Sequence, residues 1–315
     1  MEDRAPLRRY ATISIVAALA TIALKGGAYL VTGSVGLLSD ALESLVNLAA
    51  AIVAFIALTT AARPEDEDHR YGHSKAEYFS SGFEGALIML AAASILYTSI
   101  GRLLAPQAIQ RVELGVGISI VAGAINLVVA RILFRAGRRH QSITLEADAH
   151  HLMSDVWTSV GVIVGVGATA LTGWHRLDPI IAIVVGLNIV RTGLSILRRS
   201  LMGIQDTAIP EELLRRIVDI FSHHAGAGVR FHALRTRQAG ARRFIDFHVL
   251  VPGHWSVQRG HDLLEKIEEE VRDAVPNSSV FTHLEPIEDP ASFADVSLER
   301  AEDAQRRPSE HEGSG

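Results

Sequence analysis

Two helical spacings concentrate metal-binding chemistry in this sequence. In SDALESLVN, Glu43 and Asn47 stand four residues apart, and in HHLMSD His151 and Asp155 repeat that spacing. Residues at i and i+4 share a helix face, so each pair offers two donors in one direction. Carboxylate, amide and imidazole groups supply the oxygen and nitrogen ligands that a four-coordinate divalent transition metal accepts. Asp40, one turn before Glu43, and His150, off the shared face, are expected to pack or to support the ligands rather than join them.

Both pairs sit in stretches otherwise fit for lipid. The 315-residue chain is 48% hydrophobic and 21% charged, too apolar for an ordinary soluble domain. A bilayer core of about 30 Å needs about 20 apolar helical residues. Six such stretches precede residue 205, near 10–32, 35–62, 78–103, 112–135, 144–172 and 178–200. The first follows arginines as a secretory signal would, but it is long enough to span and lacks a convincing cleavage site, so it reads as a retained helix. Arginine and lysine gather on alternate connections, at Arg4, Arg8 and Arg9, at Arg63, Arg70 and Lys75, at Arg131 to Arg139, and at Arg198 and Arg199. By the positive-inside rule both termini are expected in the cytoplasm. The absence of cysteine removes disulfides, thiolate metal sites and cysteine nucleophiles. A net charge of −5 without a long basic run gives no footing for nucleic acid.

Helix rise sets the depth of each donor. With the second stretch entering from outside near Ser34, Glu43 lies roughly 13 Å and Asn47 roughly 19 Å below the surface. The fifth runs the opposite way, which puts Asp155 roughly 12 Å and His151 roughly 18 Å below the same face. Glu43 is therefore expected level with Asp155, and Asn47 with His151. With both acids ionised, one divalent cation balances the charge. The empty site would take up protons instead, so metal and proton compete for the same groups. A lone Asn47 is explained by an interhelical hydrogen bond; four donors at matched depth point to an ion. Lys25, Asn126, Asn188 and Arg191 have no role in this reading. No further acid is expected at that depth, which leaves a metalloenzyme without a general base.

After Asp206 the composition becomes that of a small soluble unit. Pro210, Glu211 and Glu212 open a helix. Two β-rich runs follow, joined by a turn at Ala239 and Gly240. Ser256 caps a helix reaching about Ala274, and SVFTHLEP forms a last strand. This order implies an open sheet covered on one face by helices. The expected organisation is thus 1–205 as a six-helix transmembrane domain, 206–290 as an α+β domain and 291–315 as a disordered tail.

GSVGLLSDALES, the HxxxD pair and the loop motif HRYGHSKAE together resemble the cation diffusion facilitator family, over residues 10–288. The resemblance implies an α-helical bundle of six transmembrane helices with a cytosolic ferredoxin-like, metallochaperone-like C-terminal domain. It implies a homodimer in a bacterial inner membrane that exports divalent metal, usually zinc, in exchange for protons. Carried over by position, the transport ligands are Glu43, Asn47, His151 and Asp155. The family usually has Asp or His followed by Asp in the second helix, so Glu43 and Asn47 open the selectivity to iron, manganese, cobalt or cadmium. Asp66, His69 and His73 match a loop site on the cytoplasmic side, and HxxxH spacing suits one cation if that segment is helical; a solvated charged loop is the competing reading. His232, His248, His261, His283 and Glu285 match the cytosolic site, binuclear and at the dimer contact, where metal acts as a regulator. His223, His224 and His254 read as surface residues. The alternative function is a membrane-anchored sensor or scaffold that binds metal without transporting it.

Overall fold

The computed structural model describes residues 7–32, 35–105, 112–174, 176–226 and 228–293. The chain divides into two compact units, one from Glu2 to Gln205 and the other essentially from Asp206 onward.

The first unit is six long helices: α1 (Arg8–Thr32), α2 (Val35–Ala61), α3 (Ala76–Leu104), α4 (Val112–His140), α5 (Ile143–Thr172) and α6 (Leu177–Ile204). Among the described residues five of them, α1, α2, α3, α4 and α6, contain a span long and apolar enough to cross a membrane. The sixth, α5, is equally long but carries Glu146, Asp148, His150, His151 and Asp155 in its first half. It bears them because it is the central helix, touching each of the other five, so its polar face meets protein rather than lipid. Apolar residues on the rest of α5, including Leu145, Ala149 and Leu152, join Leu58 of α2 and Leu133 of α4 in a buried core.

Small residues bring α3 and α6 together. A Cβ at Gly85 would lie 3.2 Å from the Leu197 backbone nitrogen, and one at Gly193 would lie 3.0 Å from Ile88 Cγ2. Gly203 lies flat against the Tyr78 ring. The Ser200 hydroxyl donates to the Tyr78 carbonyl, which ties the same ends of the two helices. Backbones that approach this closely gain dispersion contacts, the main source of attraction between helices in lipid.

The second unit follows the order α7 (Glu211–His224), β1 (Arg230–Ala239), β2 (Arg242–Val251), α8 (Val257–Ala274), β3 (Ser278–Pro286). The sheet has the order β1-β2-β3, with β1 antiparallel and β3 parallel to β2. Gly240, at φ 61°, makes the β1–β2 turn that the sequence marks. The Ser256 hydroxyl accepts the Arg259 amide at 3.2 Å and so caps α8. Ile245, Phe247, Val249 and Val251 alternate onto one face of β2 and pack on Ile217 and Phe221 of α7 and Ile267 and Val271 of α8. Each such side chain contributes about 1.5–3 kcal/mol on burial. That leaves the other face of the sheet free for polar residues. Pro290–Phe293 form a short 3-10 helix in which Ser292 is buried and its hydroxyl donates to the Pro286 carbonyl at 2.8 Å; the rest of the expected 291–315 tail lies outside the described residues.

Candidate metal centres

In the helical unit, antiparallel α2 and α5 bring Asn47, His151 and Asp155 into direct contact. The Asn47 amide nitrogen donates to Asp155 Oδ2 at 2.5 Å, and His151 Nε2 faces Asn47 Oδ1 at 2.6 Å. Asn47 is 7% and His151 6% exposed, so the cluster is enclosed. Glu43 lies on α2, but its side chain, like that of Asp40, is outside the described residues. His150 turns away and packs edge-on against the Phe134 ring, with centroids 4.7 Å apart.

Two residues join this cluster that the sequence pattern left aside. Asn126 of α4 donates to Asp155 Oδ2 at 3.3 Å. Glu84 of α3 is 0% exposed, with Oε2 3.3 Å from His151 Nδ1. This corrects the expectation that no further acid lies near the donors. Glu84 stands alone in α3, without a metal-binding partner one turn away, so spacing gives no sign of it; only packing of α3 on α5 brings it in. A neighbouring buried acid, Asp148, accepts from the Ser14 hydroxyl at 3.1 Å, joining α1 to α5.

The loop between α2 and α3 gathers Asp66, His69 and His73, whose ligand atoms all lie within 4.8 Å of one another. His69 Nδ1 and His73 Nε2 each lie 3.2 Å from an Asp66 oxygen, and the two rings are 4.3 Å apart. The segment is not helical. A turn held by the Gly72 amide on the His69 carbonyl, with Gly72 at φ 77°, brings the imidazoles together instead. The His69 backbone N–H donates to Asp66 Oδ1 at 2.7 Å and holds that carboxyl below its ordinary range.

In the second unit, register builds the site. His232, His248 and His283 are direct partners on β1, β2 and β3, so three imidazoles form one row across the sheet, with adjacent rings 5.0 Å apart. Glu285, two residues beyond His283 and so on the same face, meets all three: His232 Nε2 at 2.8 Å, His248 Nδ1 at 3.3 Å and His283 Nδ1 at 3.1 Å. Ligand atoms of His232, His248 and Glu285 converge within 4.8 Å. A bulge follows His232, with Ala233 at φ 54°, a device that re-aims strand side chains. His261 is exposed on α8, and among the described residues it makes no hydrogen bond, ion pair or ring contact with the other four. His223 and His224 have local partners, the Asp219 carbonyl at 2.7 Å and Glu270 at 2.9 Å.

A six-helix bundle with a polar centre, followed by an α+β unit with a histidine row, defines a membrane metal transporter rather than an enzyme. Residues 11–204 match the cation efflux transmembrane domain family, and residues 209–287 match the cation efflux protein cytoplasmic domain family. The chain belongs to the cation efflux, or cation diffusion facilitator, family, and it is an integral membrane protein that moves divalent metal cations outward. It is 57% identical to an uncharacterized transporter of Synechocystis sp. over 286 residues, 91% of this chain and 92% of that one. It is 31% identical to the cation-efflux pump FieF of Shewanella oneidensis over 275 residues, 87% of this chain and 92% of that one. A solved structure, the metal-bound C-terminal domain of the CzcD transporter from Thermotoga maritima, aligns at 25% identity and TM-score 0.24 over 25% of this chain and 92% of its own.

Proposed function

We propose that the chain is a proton-coupled antiporter that carries one divalent transition-metal cation at a time from the cytoplasm, through a site formed by Glu43, Asn47, His151 and Asp155. The observation that carries this reading is the triple contact of Asn47 with His151 and Asp155, because it joins three donors from two helices in an enclosed space. Both ring nitrogens of His151 face oxygen atoms, Asn47 Oδ1 and Glu84 Oε2. A cation can take Nε2 only where no proton sits on it, so if the empty site holds His151 as the doubly protonated imidazolium, binding metal releases the Nε2 proton and a returning proton expels metal. Zinc is the leading cargo; the neutral amide of Asn47 in a carboxylate-rich set keeps iron, manganese, cobalt and cadmium in contention.

Both termini are assigned to the cytoplasm of a bacterial inner membrane, and the protein to a homodimer. The sheet site would hold regulatory metal through His232, His248, His283 and Glu285, with His261 added where the chains meet. The loop site at Asp66, His69 and His73 would hold a further ion at the cytoplasmic side. Metal on the sheet would tighten the dimer and bias the helices toward one access state. The proposed domain limits are 1–205 and 206–290, with a tail from 291; the break near residue 205 is supported by the division into two compact units.

The test is uptake by inverted vesicles across a panel of divalent metals, with and without a pH gradient. Export predicts accumulation that collapses with the gradient, with a rank order that identifies the cargo. Metal binding without accumulation of any metal would favour the membrane-anchored sensor.

A further inference from the structure

Glu84 stands where the transport reading gives it no part. Both its carboxylate oxygens and the Nδ1 of His151 are buried without a hydrogen-bond partner, although Nδ1 and Oε2 are 3.3 Å apart. The pair lies at ion-pairing distance without the alignment of a hydrogen bond. A carboxylate in an apolar bundle is costly unless something compensates it, and packing alone does not call for one here. Ile88, four residues further along α3, is buried as an ordinary apolar side chain with Ile189 and Ile196.

The two ring nitrogens of His151 are divided between different neighbours. Nε2 faces Asn47, on the side of Asp155, while Nδ1 faces an acid from another helix. An imidazole that binds a cation through one nitrogen keeps its proton on the other, and the acceptor of that proton fixes both tautomer and ring orientation. We propose that Glu84 is a positioning residue: its carboxylate takes the Nδ1 proton as a hydrogen bond, so that His151 offers the Nε2 lone pair to the cargo cation. The inference rests on the reading of His151 as a transport ligand. Glu84 itself touches the imidazole and not the cation.

The experiment compares E84M and E84Q with the unaltered full-length protein in proteoliposomes, using zinc as the probe and reading KM and kcat separately, alongside the thermal unfolding midpoint of each purified protein. E84M fills the space without a charge or an acceptor; it is expected to raise KM about 10–100-fold, the usual effect of losing a group behind a ligating histidine, with kcat changed much less and the midpoint unchanged or higher. E84Q keeps an oxygen able to accept from Nδ1 and is expected to recover at least half of that loss on a logarithmic scale. A KM within twofold of wild type in both variants would overturn the proposal. So would equal impairment of both variants with lowered midpoints, which marks a structural role. Asp155→Ala separates the layers: if it still transports, the transport reading fails; if it does not while E84M and E84Q transport normally, only the role of Glu84 fails.

Discussion

His151 and His248 each hold Nδ1 3.3 Å from a glutamate oxygen. Their surroundings differ in how the donors are supplied. Around His151 they come from α2, α3, α4 and α5, separate rods whose relative position is set by side-chain packing. Around His248 they come from three strands joined by backbone hydrogen bonds, with neighbouring strands about 4.8 Å apart. A sheet cannot change that spacing without breaking its ladder, whereas helices can tilt and slide. The first arrangement suits a site that must be assembled and dismantled in every cycle, and the second suits one that holds its ion.

The largest expected effect breaks the helical site outright. Asp155→Ala should reduce metal flux by more than about 100-fold, beyond the 10–100-fold attached to groups behind a ligand, while the protein elutes at its normal size; flux through proteoliposomes measures it. His248→Ala should act on the other side of the comparison, weakening metal binding by the second unit about 100-fold while leaving transport reduced rather than abolished. Calorimetry of the full-length protein in an Asp155→Ala, His73→Ala background, which also removes a donor of the loop cluster, isolates that affinity. Equal loss of transport in both variants would erase the distinction between a cycling site and a holding site.

Smaller changes sharpen the comparison. Asn47→Asp adds a carboxylate to a set that already has two acids, and should shift relative preference between zinc and manganese about tenfold, equivalent to roughly 1.4 kcal/mol; competition uptake reads it. Asn126→Leu removes a 3.3 Å hydrogen bond to Asp155 and should raise KM only about fivefold, since Asn47 still donates to the same oxygen. The mildest effect concerns the loop. Asp66 is held below its ordinary range by the His69 N–H, so the native turn binds the carboxylate more strongly than the unfolded chain does. That preference is complete above the ordinary carboxylate value of 3.8 and disappears only as the pH falls through the lower native value. The Asp66 side-chain carboxyl carbon resonance should therefore show its own protonation step below pH 3.8.

What the sequence disclosed follows from periodicity. Helix limits emerged because an apolar run of about 20 residues has the length of a helix that crosses a bilayer, and polar residues mark where each run stops. The α2–α5 contact emerged because both pairs repeat at four residues, and the histidine face of β2 emerged because strand side chains alternate. Glu84 and Asn126 were hidden for the opposite reason: neither has a second metal-binding side chain one turn away on its own helix, and its partner is found by three-dimensional packing. His261 shows the converse limit, since its position in the chain matches a ligand pattern while α8 leaves it exposed.

The glycine contacts between α3 and α6 bear on how Glu84 works. With Gly85 against the Leu197 backbone and Gly203 against Tyr78, the two helices behave as one thick strut, and Glu84 is a peg fixed to it. His151 rides on α5, a separate part. An axial slip of one helical turn, about 5.4 Å, carries a 3.3 Å contact out of reach. The sliding that opens the passage would thereby also unlatch the imidazole, making release of the ion and loss of its anchor one mechanical event.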